Sequence, residues 1–134
     1  MKVVKVAFLF CFSLISSLAF ISSMAMAGTI EPYTQAQFDL LASQGKPVLL
    51  AVHAGWCPTC RAQKPIIGEL MGEPAYKDVT TLEIDFDTEK TLLRHYKVGL
   101  QSTLIAFRGS KEVGRSVGDT TRVGIEDLIK KAVD

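Results

Sequence analysis

Cys57 and Cys60, in the stretch AGWCPTCRAQKP (residues 54–65), are the residues whose types and spacing could do chemistry. The chain has one other cysteine, Cys11. A Cys-x-x-Cys pair can be half of a zinc site, a structural disulfide or a redox couple. Zinc asks for four ligands, commonly two such pairs or one pair with two histidines at matched spacing. Only one pair is present, and His53 and His95 do not have the spacing of a ligand pair. A disulfide across two residues closes too small a loop to staple a fold. Redox exchange fits best, with the thiolate as the reactive form.

The elements around the pair must position it. Residues 47–54, PVLLAVHA, form a short apolar run bounded by Pro47 and Gly55, which predicts a strand buried on both faces. A helical pattern runs from Pro58 to about Met71, with Pro58 suited to the first turn and Pro65 expected to kink it. Cys57 therefore falls at a helix N-terminus, where free N–H groups and the macrodipole favour an anion. Cys60 lies one turn further in, within disulfide reach and expected to be more covered. This spacing gives Cys57 the attack on a partner and Cys60 the resolution of the mixed disulfide.

The remaining pattern predicts a helix over 34–44, opened by Thr34 and Gln37 as a capping box and stopped at Gly45. A second buried strand is expected over 79–86, then a helix capped by Asp87 or Thr88 and carrying Leu92, Leu93 and Tyr96. A strand over 103–107 pairs with EVGRSV as a hairpin, and Thr120 or Thr121 opens a last amphipathic helix. With a short strand before Pro32, the order is an α/β alternation: a central mixed β-sheet flanked by helices on both faces.

Residues 1–27 read as a different material. Lys2 and Lys5 precede an almost wholly apolar run from Val6 to Ile21, and Ala25-Met26-Ala27 fits a cleavage site. This is the pattern of a secretory signal peptide, the rival being a retained membrane anchor. Cleavage leaves residues 28–134 as one domain holding only Cys57 and Cys60, with 13 basic and 14 acidic residues. A periplasmic or secreted location is expected, where disulfides persist. The near-neutral charge gives no sign of a nucleic-acid partner.

The segment PVLLAVHAGWCPTCRAQKPIIGEL resembles the core of the thioredoxin superfamily. The likeness continues through LEIDFD, through HYKVGLQSTLIAFRGSKEVGRSVGD and into the last helix, with Pro65 and Gly118 at the family's proline and glycine positions. It implies the thioredoxin fold and an enzyme exchanging disulfides with protein cysteines, with no cofactor and no resident metal. Trp56 and the loop at Gln101 and Ser102 would meet the substrate, Gln101 through its backbone. Pro58 and Thr59 resemble the dipeptide of thioredoxins serving cytochrome c maturation.

The chain departs from that family at three places. Ser102 stands where thioredoxins have a cis-proline; a trans bond is expected there. Ala51 stands where a buried aspartate assists proton transfer, and Thr81 replaces its accompanying lysine; Glu83 is the candidate carboxylate in their stead. His53 stands at a position held by a large aromatic in many thioredoxins. Its ring would favour a thiolate on Cys57 if it faced the pair, and would otherwise finish the strand. The tuning candidates are thus His53, Pro58, Thr59 and Glu83. His95, Arg61 and Lys64 are expected on solvated surfaces. A monomer working as reductase or exchanger, fed by a membrane electron donor, is the leading expectation. The alternative is a dimer holding metal or an iron–sulfur cluster on four thiolates.

Overall fold

The computed structural model describes residues 27–134; the expected signal segment up to Met26 lies outside them. Five strands and four helices follow one another as β1 (Thr29–Pro32), α1 (Gln35–Ser43), β2 (Pro47–His53), α2 (Pro58–Met71), β3 (Thr80–Asp85), α3 (Lys90–His95), β4 (Thr103–Arg108), β5 (Lys111–Val117) and α4 (Arg122–Val133). A 3₁₀ turn, Pro74–Tyr76, leads into β3. The sheet order is β1-β3-β2-β4-β5. The strands β1, β3 and β2 run parallel, while β4 and β5 are antiparallel to their neighbours.

Alternation along the strands divides the core. Val48, Leu50, Val52, Leu82, Ile84, Ile105 and Phe107 face one way and pack with Phe38 of α1 and Leu93 of α3. Leu49, Ala51, Leu104 and Ala106 face the other way, under Ile67 and Leu70 of α2 and Ile125, Leu128 and Ile129 of α4. Central β2 is apolar on both faces because both are covered, as its unbroken run of Val and Leu predicts.

Thr34 caps α1 by accepting the Gln37 N–H at 3.1 Å, and Gly45 ends it with φ +66°. Thr121 caps α4 by accepting the Gly124 N–H at 3.2 Å. Pro65 lies within α2, which stays one element from Pro58 to Met71. The start of α3 differs from expectation. Neither Asp87 nor Thr88 is its cap; Glu89 is, without a side-chain capping bond. Asp85, at the end of β3, takes the local donors instead: its Oδ1 accepts the Asp87 and Thr88 N–H groups, each at 2.9 Å. An aspartate two residues before a free N–H makes the same local bond as a helix cap, so sequence spacing alone does not separate the two.

Candidate active site

The carboxyl ends of β2 and β3 and the first turn of α2 meet at the cysteine pair. Cys57 is the N-cap of α2 in extended conformation, and its Sγ accepts the Cys60 N–H at 3.1 Å. Pro58 fills the first helical position, where no N–H is needed. The Cys60 thiol points at the Cys57 sulfur, 2.6 Å away, and both cysteines are free. The expectation that Cys57 is the more exposed of the two is not met: Cys57 is 1% exposed and Cys60 7%. As the cap of α2, the Cys57 sulfur is turned toward the Cys60 N–H. Ala54 forms a small buried cluster with the two cysteines, and Phe86 packs against it.

Burial alone would raise the Cys57 pKa, but the donors around the sulfur outweigh it. The Cys60 thiol and the Cys60 N–H are its hydrogen-bond donors, the Ser102 side chain and the Thr59 backbone lie close enough to add to them, and together they hold Cys57 below its ordinary value. The Cys60 thiol is pushed up, first by burial and then by its hydrogen bond to Cys57 and the charge there. One sulfur is thus disposed to be a thiolate and the other to keep its proton.

Ser102 is reached from across the sheet. Its N–H donates to the Val52 carbonyl at 2.8 Å, its hydroxyl reaches the Gln101 carbonyl at 2.6 Å, and its φ is +57°. No peptide bond among the described residues is cis, as expected of the bond before Ser102. Buried Gln63 fastens the loop, donating from Nε2 to the Ser102 carbonyl at 3.2 Å and to the Asp119 carbonyl at 2.9 Å.

Trp56 is 57% exposed and its indole N–H donates to Asp87 at 2.9 Å, so it is not a core aromatic. Leu100 and Val117 flank the Ser102 loop and are also exposed. His53 and Glu83 are half-buried and share with Cys60 a cavity that Cys57 does not line. Thr59 contributes to the lowered Cys57 pKa through its backbone. Arg61, Lys64 and His95 are exposed, as expected. The sequence reading missed Gln63, Phe86 and Asp87. An amide among the apolar positions of α2 was the one available signal for Gln63. Phe86 and Asp87 come from a neighbouring strand end, and only the sheet order brings them to the pair.

A mixed α/β sheet with a dithiol between a central strand and the next helix defines the thioredoxin-like oxidoreductases. The sequence model of the Thioredoxin family matches residues 29–131, and the chain belongs to that family. It is 38% identical over 87 residues to a thioredoxin of Mycobacterium tuberculosis, covering 63% of this chain and 73% of the relative. It is 35% identical over 94 residues to a bifunctional thioredoxin reductase/thioredoxin of Mycobacterium leprae, covering 69% of this chain and only 20% of that protein. Among solved structures, Trxlp from Edwardsiella tarda is similar at a TM-score of 0.73 and 39% identity, covering 75% of this chain and 97% of that one. The chain is a thiol–disulfide oxidoreductase with the thioredoxin fold.

Proposed function

We propose that this protein is an exported oxidoreductase that reduces or exchanges disulfides in protein substrates, with Cys57 as nucleophile and Cys60 as resolving thiol. The observation that carries the reading is the opposed tuning of the pair, Cys57 held low and Cys60 held high. The Cys57 thiolate attacks a substrate disulfide, forming a mixed disulfide and releasing one substrate thiolate, which takes a proton from solvent. Cys60 then loses its proton and attacks the Cys57 sulfur. The Cys57–Cys60 disulfide forms and the second substrate thiol leaves. The substrate gains two electrons and the protein loses two.

Exposed Trp56, Leu100 and Val117 suit an extended, partly apolar substrate segment beside the pair, with Gln101 and Ser102 against its backbone. Export rests on Lys2, Lys5 and the apolar run from Val6 to Ile21, ahead of cleavage after Ala27. In an oxidising compartment, continued reduction needs electrons from a membrane partner. The protein works as a monomer.

Disulfide reduction by the purified protein tests the roles. Cys57→Ser is expected to abolish turnover, and Cys60→Ala to accumulate substrate bound covalently to Cys57. A Cys57→Ser protein exchanging disulfides at the normal rate contradicts the assignment, as does wild-type protein isolated with metal held by both cysteines.

A further inference from the structure

Behind Cys60 lies a cavity of about 200 Å³ between α2 and the β1-β3-β2 side of the sheet. Parallel pairing sets Ala51 beside Glu83 and His53 beside Asp85, and Ala51, His53, Thr81 and Glu83 all line it. Small side chains at 51 and 81 leave the space open. Thr81 is buried and its hydroxyl has no protein partner. The Thr81 hydroxyl, with His53 and Glu83 lining the same cavity, suits a water as its partner, and there is room for several molecules. Cys60 opens onto this cavity, and Cys57 does not line it.

We infer that His53 accepts the Cys60 proton through water held in this cavity, freeing Cys60 to attack the Cys57 sulfur. The inference rests on the exchange reading above and concerns its second step alone. The Cys60 proton passes to water, water passes one to the imidazole, and the electron pair left on the Cys60 sulfur forms the disulfide bond. The ionisable groups around the cavity are His53 on β2, Glu83 on β3, and Cys60, Arg61 and Lys64 on α2, with Asp85 next to His53 in register. Arg61 and Lys64 are exposed cations and serve poorly as acceptors. Asp85 does not line the cavity, and between His53 and Glu83 the neutral imidazole is the more basic acceptor and the better match to a thiol. His53 thereby acts on the reaction through water, as a positioning residue for the proton.

The test mixes reduced protein with an aromatic disulfide that releases a coloured thiolate. A first, concentration-dependent phase reports attack by Cys57. A second, concentration-independent phase reports resolution by Cys60. The wild-type second phase is expected to slow with falling pH through the ionisation of its acceptor imidazole. His53→Gln should slow that phase at neutral pH by about tenfold or more and remove the ionisation, leaving the first phase unchanged. His53→Asn should do the same and stands in if the glutamine variant unfolds. Glu83→Gln should keep the second phase and its pH profile. A His53 variant with a wild-type profile overturns the inference, and so does loss of the ionisation in Glu83→Gln. Absence of any second phase in wild-type protein would instead overturn the exchange reading itself.

Discussion

Donors, not exposure, hold Cys57 below its ordinary pKa. A sulfur that is 1% exposed is costly to ionise, and only the convergence of Cys60, Ser102 and Thr59 on it reverses that cost. Ser102 is the one member of the group supplied by another element. Ser102→Ala removes a hydroxyl that can turn from the Gln101 carbonyl to the thiolate and leaves the burial, so the Cys57 pKa should move upward. The pH dependence of iodoacetamide alkylation, followed in the Cys60→Ala background, measures this. Alkylation should rise at higher pH in the Ser102→Ala protein than with Ser102 present. The attack step at neutral pH should slow in the same direction, because less thiolate is present. At this scale the sequence disclosed the cysteines, the helix start and the changed residue at 102. It could not disclose which groups donate to which sulfur, since that depends on the loop bringing a backbone at φ +57° across from β2.

At the scale of elements, legibility followed locality. The cap of α1 was readable, and that of α4 was narrowed to Thr120 or Thr121, because Thr34 and Thr121 bond N–H groups only three residues away. The start of α3 was not, because Asp85 competes for the same donors from the end of a strand. Thr121 also carries a functional consequence: Asp119 accepts its N–H at 2.8 Å, and the Asp119 carbonyl accepts Gln63, which fastens the Ser102 loop. Thr121→Ala should lower stability by about 1 kcal/mol, from loss of the helix cap. Chemical denaturation measures that loss, and an unchanged midpoint would show that the cap contributes nothing. The buried strands were the most legible elements, since β2 and β4 are apolar on both faces wherever helices cover them. Two long-range features had no local signal. One is the cavity behind Cys60, which depends on Ala51 and Thr81 lying on the same face of adjacent strands. The other is the pairing of Trp56 with Asp87, residues from separate strand ends.

Across the whole molecule, the sheet gathers two strand ends, one helix start and one distant loop at a single edge, and the dithiol sits where they meet. The two apolar layers hold this edge from behind, so the chemistry depends on a scaffold extending over most of the described chain. The central claim is that Cys57 and Cys60 form a working redox couple, and equilibration with glutathione buffers of graded poise tests it most directly. The oxidised fraction, read by thiol alkylation, should follow one two-electron transition. Its potential should lie nearer about −270 mV than about −120 mV, as a reducing or exchanging role requires. A midpoint near the upper value would contradict that direction, and a protein whose two thiols never join in a reversible disulfide at any poise would contradict the account itself.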